Sequence, residues 1–354
     1  MNSTAAQPTA AQSIESRYRD NFPRHVLEVS RYLQTRMMDT LQEECGHKDL
    51  RLGFAPYITL IGERTCRPTE LAEVLGITRQ ACNQAIRQIE AAGYVAQTPD
   101  PQDGRARLLA LTKQGRKLRR DGVVVVSGLD LQFVQLVSKP SAITAARSLA
   151  KLTNALGLAG ALLEDEPVLY SGLGGFLPRL SDYVYHRLMI LTQAKGHPGL
   201  KLSFGQVLPH IGPDGGRIQK IAAIQDVSKQ AISVIVAELE ALGYLHREAD
   251  PDDARQIVLR FTEQGKSLIR DSVASVSELE SEFAEMLGGP AMLQLAATFG
   301  QLFQGLGLGL EQEMLESRGE VDITLLAQQL LQQLGVQRSL ALGRLLTTHP
   351  ENER

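Results

Sequence analysis

At 354 residues, with 43% hydrophobic and 22% charged side chains, the chain has the composition of a soluble globular protein and is too long for one ordinary core. Disordered and fibrous classes are excluded, and an apolar stretch such as Ala155 to Leu163 falls well short of the roughly 20 residues a bilayer span requires. The net charge of −3 hides an asymmetry: residues 1–160 carry 21 Lys and Arg against 15 Asp and Glu, net +6, whereas the remainder carries 16 against 25, net −9.

The polar start, MNSTAAQPTAAQS, lacks the basic and apolar parts of a signal peptide, so the expected location is the cytoplasm. Cys45, Cys66 and Cys82 have no metal-type spacing and read as free thiols. The dominant feature is a repeat. A shift of 150 residues superposes His47–Gly160 on His197–Leu310 without insertion, with 36 of 114 pairs identical. A long period present only twice means duplicated domains, not a solenoid. The expected division is a first module over 1–163, a linker over 164–175 (EDEPVLYSGLGG), a second module over 176–310 and a tail over 311–354.

In chain order, copy 1 begins with a helical stretch from about Ile14 to Glu44. Pro68 opens a short helix that runs to Leu75, Gly76 supplies a turn, and Thr78 caps a second helix that stops at Gly93, which is helix-turn-helix spacing. Cys82, Ala85, Ile86 and Ile89 recur with the period of a buried helix face, and Arg79, Gln80, Asn83, Gln84 and Arg87 occupy the opposite side. Strand-like runs Tyr94–Gln97 and Arg107–Leu111 flank a Pro/Asp/Gly turn, giving a hairpin wing. Thr112 caps a long helix to about Val137, and Pro140 opens another that ends near Gly157.

Copy 2 repeats the order after a helical stretch from Pro178 to Ala194. Ser228 is its cap, Ile232, Ile235, Val236 and Leu239 its buried face, Gly243 its stop, and Glu248–Gln256 its wing, with Asp226 in place of the turn glycine. The fold class is therefore mainly α with small β-wings: tandem winged helix-turn-helix domains joined by a helical, dimerisation-like region. The tail, Asp322–Thr348, reads as two amphipathic helices with no counterpart in copy 1.

A capped helix ending E-x-x-G, then D-P-x-D-x-R, then an apolar strand and T-x-x-G, resembles the multiple-antibiotic-resistance regulator (MarR) family. Copy 1 carries the pattern as Glu90, Gly93, Asp100, Asp103, Arg105, Thr112 and Gly115; copy 2 carries it as Glu240, Gly243, Asp250, Asp253, Arg255, Thr262 and Gly265. Members are usually separate homodimers, so fusion of two copies is the departure. The resemblance implies a regulator, here a repressor, that binds an imperfectly palindromic double-stranded operator as a single-chain pseudo-dimer. It also implies wing arginines, Arg105 and Arg255, in the minor groove, oriented by Asp103 and Asp253. A small aromatic or phenolic ligand is implied too, with Phe54, Tyr57, Tyr183, Phe204 and His210 in the matching segments.

The chemistry supports such a surface independently of the family. Arg, Gln and Asn side chains on a groove-sized helix can pair bidentately with guanine or adenine, which assigns Thr78, Arg79, Gln80, Asn83, Gln84 and Arg87, with Arg107 on the wing, to DNA in copy 1. Ser228, Lys229, Gln230 and Ser233 are the corresponding set in copy 2. The basic run Arg116, Lys117, Arg119 and Arg120 reads equally as a phosphate track or a solvated face. Copy 2 presents fewer donors and an acidic wing (Glu248, Asp250, Asp252, Asp253), so the alternative is a protein-interaction scaffold that has lost specific DNA binding there. Catalysis, a cofactor and a metal are not expected. Gly172, Gly174 and Gly175, like Gly305, Gly307 and Gly309, follow no strand and make no phosphate cradle, and Asp182, His186 and His210 form only a weak metal grouping.

Overall fold

The computed structural model describes residues 10–62, 65–158, 172–212, 215–225, 227–249 and 257–308. The linker over 164–171, the turn residue Asp226, the copy 2 wing tip with Asp250, Asp253 and Arg255, Gly309 and the tail lie outside the described residues.

The helical stretch before copy 1 is two helices, α1 (Ala10–Arg19) and α2 (Phe22–Asp39), where the sequence suggested one. The break has a local cause. Asn21 donates its side-chain amide to the Arg17 and Tyr18 carbonyls, which terminates α1, and Pro23 fits the first turn of α2, where no amide hydrogen is needed. A π-helical turn, Thr40–Glu44, ends α2. The helix preceding copy 2 has no such turn after it; there FPR at Phe22 matches LPR at Leu177 with a spacing of 155. These five π-helical residues account for the change of offset from 155 to 150.

Copy 1 continues with α3 (Ala55–Ile61), α4 (Pro68–Leu75), α5 (Arg79–Ala91), β1 (Val95–Asp100), β2 (Asp103–Leu111), α6 (Lys113–Val137) and α7 (Lys139–Ala155). Copy 2 comprises α8 (Leu177–Ala194), α9 (Ile218–Ile224), α10 (Lys229–Ala241), β3 (Leu245–Ala249), β4 (Ile257–Phe261), α11 (Glu263–Leu287) and α12 (Gly289–Gly305). Each hairpin is antiparallel, Val95 opposite Leu111 and Leu245 opposite Phe261. Each also gains a single bridge the sequence did not suggest, Cys66 with Leu109 and Gly216 with Leu259, at equivalent places in the repeat. The copy 1 wing is longer than expected, because pairing runs on through Pro99 opposite Arg107 to an irregularity at Asp100. Pro99 tolerates this on an outer strand, where no partner requires its missing N–H.

By spatial compactness the described residues form two units that do not follow chain order. One takes the described residues within 22–185 and 278–301; the other takes those within 10–21, 186–277 and 302–308. The first unit contains the copy 1 winged lobe, whose core gathers Tyr57, Ile61, Cys82, Ile86, Ile89, Tyr94, Leu109 and Leu118; Ala85 is only half-buried. In the same unit helices of both copies pack together. The Phe22 ring meets Phe283 and Phe299 edge-on at 6.3 and 5.5 Å, and Tyr183 lies against Phe283. Ser30 and Ser181 share a buried hydrogen bond of 2.9 Å, and Lys151 donates to the Leu287 carbonyl. The last residues of the expected linker are packed here as well. Leu173 is buried and Gly174 donates its amide to Asp130, while any Cβ on Gly172 would overlap that carboxylate. Burial pushes the Asp130 carboxyl above its ordinary range, partly offset by the Gly174 and Leu173 amides.

The second unit contains the copy 2 lobe, with Phe204, Val207, Ile221, Ile232, Val236, Leu239, Tyr244 and Leu259 in its core. Arg19, from the first helix of the chain, donates to the Ile211 carbonyl of this lobe at 3.1 Å.

Candidate nucleic-acid interface

The recognition helix of copy 1 is fixed at both ends by side chains that its sequence specifies. Thr78 accepts from the Ala81 amide at the start, and Gly76 makes the preceding turn with φ +63. Past the other end Gly93 adopts φ +82, a left-handed conformation with little cost only for glycine. Glu90 then accepts from Gln97 on β1 at 2.9 Å, and Arg51 reaches Gln88 at 3.2 Å. With Cys82, Ile86 and Ile89 buried beneath, Arg79, Gln80, Asn83, Gln84 and Arg87 all stand exposed on one side.

Copy 2 reproduces the scaffold contact by contact. Ser228 accepts from Ala231, Gly243 adopts φ +78, Glu240 accepts from Arg247 at 2.9 Å, and Lys201 pairs with Glu238 at 3.0 Å. The outward face differs. Lys229 and Gln230 are exposed, but Ser233 is half-buried and donates its hydroxyl to the Lys229 carbonyl at 2.8 Å, and Val234 and Ala237 occupy the places of Gln84 and Arg87. The acidity of this wing is partly neutralised internally, since Glu248 pairs with Arg260 and lies 3.5 Å from His246.

The T-x-x-G element has a packing reason in both copies. Thr112 caps α6 by accepting from the Gly115 amide and donates its hydroxyl to the Gly93 carbonyl at 2.7 Å; Thr262 does the same with Gly265 and Gly243. The helix thereby sits so close to the strand that a Cβ on Gly115 would overlap the Tyr94 carbonyl, and one on Gly265 the Tyr244 carbonyl.

Two arrangements carry the site without having been singled out from sequence. In the copy 1 wing, buried Asp100 accepts two bonds from the Arg67 guanidinium, at 2.9 and 2.5 Å, and one from the Gln102 amide. It thus ties the wing turn to the helix-turn-helix. The Gln102 amide and Arg67 hold its carboxyl below the ordinary range. Asp100 therefore contributes its tie throughout neutral pH and releases it only as pH falls through that depressed value. Arg105 stands on β2, its side chain outside the described residues, so its expected orientation by Asp103 lies outside them too; Arg107 is exposed on the same strand. Asp100→Ala is expected to speed hydrogen exchange at the Gln102 amide and to lower duplex affinity severalfold, with α5 unaffected.

The second arrangement occurs twice. Buried His47 bonds Asp121 at 2.8 Å and buried His197 bonds Asp271 at 2.9 Å, each joining the loop before a lobe to its long helix. Burial alone would raise the Asp121 carboxyl, but Lys117 and His47 bring it below its ordinary range.

Other expected residues are placed differently. Arg116 donates to the Leu111 carbonyl, and Lys117 to the Cys45 carbonyl and Asp121, so these two cations are engaged within the fold. Phe54 and Tyr57 lie in the copy 1 core and Phe204 in the copy 2 core; His210, buried, lies 2.7 Å from the Gln225 amide nitrogen. Tyr183 packs on Phe283. Among the described residues no three His, Cys, Asp or Glu side chains gather to hold a metal, so Asp182, His186 and His210 form no such group. Cys82 is fully buried, as packing requires, and burial pushes the Cys66 thiol up to about 11. No described helix is long and apolar enough to cross a membrane.

This geometry defines a tandem winged helix-turn-helix protein. Residues 57–106 and 210–256 both match the model of the MarR family. HTH-type transcriptional repressors of Mycobacterium tuberculosis and Mycobacterium bovis are each 34% identical to the chain over 83 residues, 23% of this chain and 60% of theirs. The chain thus spans about 60% of the length of these relatives. A crystal structure of a transcriptional regulator from Thermotoga maritima aligns with 20% identity and a TM-score of 0.26, over 39% of this chain and 93% of that one.

Proposed function

We propose that the chain is a transcriptional repressor that binds double-stranded DNA as a single-chain pseudo-dimer, its duplicated modules spanning 1–163 and 176–310. The observation that carries this reading is the repetition, in one polypeptide, of an equally anchored recognition helix, together with packing of helices from both copies around Phe22, Phe283 and Phe299. A homodimeric winged-helix protein makes such contacts between chains; a duplicated one can make them within itself. In this reading α5, with Thr78 at its cap, and α10, with Ser228 at its cap, each enter the major groove of one half-site, and Arg105, Arg107 and Arg255 serve the wings. The repressor names of the mycobacterial relatives favour the sign of regulation.

Sedimentation is expected to show a 38.7 kDa monomer that retards a single operator duplex selected from a random pool. A dimer whose dissociation abolishes binding would overturn the pseudo-dimer. Retention on random DNA that falls steeply with salt separates this reading from a protein-interaction scaffold. Release by a small aromatic or phenolic ligand rests on the resemblance alone. It requires a ligand with different affinities for the two states, and a thermal-shift screen of phenols and aromatic acids that finds no stabiliser removes it.

A further inference from the structure

The recognition helix of copy 2 has more than a reduced version of the copy 1 surface. Val234, at the centre of α10, is 57% exposed, whereas Ile232, Ile235, Val236 and Leu239 are buried beneath it. Ala237, one turn further on, is exposed as well. In the repeat these two stand where copy 1 has Gln84 and Arg87. A β-branched side chain on an outward helix face is a poorer helix former than glutamine and hides little area within the fold, so local stability does not account for it. Ser233 does not replace the lost donors, since its hydroxyl proton is already given to the Lys229 carbonyl. The helix itself is held as firmly as its counterpart, by Ser228, by Glu240 with Arg247 and by Glu238 with Lys201. Lys229 and Gln230 lie at its exposed first turn. The fold therefore presents, at base-reading positions of a well-anchored helix, an apolar pair preceded by one cation and one amide.

Thymine is the base whose major-groove edge offers a methyl group, and apolar side chains recognise it there. We propose that copy 2 reads its half-site through thymine 5-methyl groups packed against Val234 and Ala237, while copy 1 reads the other half-site by hydrogen bonds. This rests on the DNA-binding reading above. It makes the operator chemically asymmetric, with thymine favoured at central positions of one half and hydrogen-bonded purines in the other.

Replacing thymine by uracil removes only the methyl group, so the test uses the full chain and a selected operator with uracil in one half-site at a time. The copy 1 half is identified as the one whose base preference Gln84→Ala relaxes. Uracil in the copy 2 half is expected to weaken binding about threefold to fivefold per contacted methyl, the scale of burying one such group; uracil in the copy 1 half should change it less than twofold. Val234→Ala, at an exposed position that does not endanger folding, should abolish most of the copy 2 uracil effect, and Val234→Gln should shift preference there from thymine towards adenine. Selective binding of the operator with no uracil effect in the copy 2 half overturns the methyl reading and leaves DNA binding standing. That is the outcome expected if Val234 contacts a protein instead. A chain that binds no duplex at all overturns both.

Discussion

Gly115→Ala is expected to destabilise the unit that contains it by about 3 kcal/mol, at the upper end of the usual cost of overpacking, although the same change elsewhere in the same helix should stabilise it. Replacing glycine by alanine inside a helix ordinarily gains about 1 kcal/mol, because glycine loses more backbone freedom on folding. At position 115 that gain meets a fixed obstacle. The new Cβ would overlap the Tyr94 carbonyl oxygen and press on its carbon at 3.1 Å and on the Leu111 Cβ at 3.3 Å. That carbonyl cannot retreat, since it accepts from the Thr112 amide at 3.0 Å and lies 3.3 Å from the Thr112 hydroxyl. Relief requires α6 to lift from the hairpin, which breaks the Thr112 cap. Gly122 and Gly128, also on α6, have nothing within 4 Å of a Cβ, so alanine there should raise stability by about 0.5–1 kcal/mol. Urea denaturation of the three variants measures the contrast. Equal effects at 115 and 122 would remove the packing explanation. Gly265→Ala should repeat the loss in the other unit, because its Cβ would meet the Tyr244 carbonyl in the same way.

Much of this was legible in the sequence because the determinants are local. Caps at Thr78 and Ser228, stops at Gly93 and Gly243 and the helical period of Ile86, Ile89, Ile232 and Val236 each involve residues a few positions apart, and the 150-residue repeat made every one visible twice. What was not legible depends on long-range contact. The bond between Ser30 and Ser181, 151 positions apart, and the edge-on packing of Phe22 with Phe283 and Phe299 leave no periodic trace. Asp100 read as a turn residue of a motif, and only the fold brings Arg67 against it across 33 positions. The His47–Asp121 and His197–Asp271 pairs had a usable signal. Both partners are identical in both copies, at one separation of 74 residues, and identity at two distant polar positions of a repeat is what a shared structural bond produces. The core positions of Phe54 and Phe204 were not legible either, since an aromatic side chain in a core and one beside a ligand have the same sequence pattern.

Arg87→Ala and Gln84→Ala are expected to relax base preference in one half-site only, each reducing discrimination there about tenfold or more, while Lys229→Ala lowers affinity for all sequences alike. The five exposed side chains of α5 can each donate hydrogen bonds to base edges, and a good bidentate contact gives about 1–3 kcal/mol of discrimination. On α10 the corresponding set is Lys229, Gln230, internally bonded Ser233, Val234 and Ala237, so the loss of a donor there removes mainly charge. The charge difference between the halves, net +6 for residues 1–160 and net −9 for the rest, acts in the same direction. It is spread over the whole half and not confined to the copy 2 wing, where Glu248 is paired with Arg260. The inequality should therefore appear in specificity more than in salt dependence. A phosphate contact contributes to every sequence and steepens the salt slope by roughly one unit, whereas a base contact changes the ranking of sequences. Fusion permits such divergence, since a homodimer must present every substitution twice and a duplicated chain need not. The measurement is binding of each variant to operators altered in one half-site at a time, across a salt series. Symmetric loss of base preference from Arg87→Ala, or a specificity change from Lys229→Ala equal to it, would mean that the two recognition helices read DNA equivalently despite their different faces.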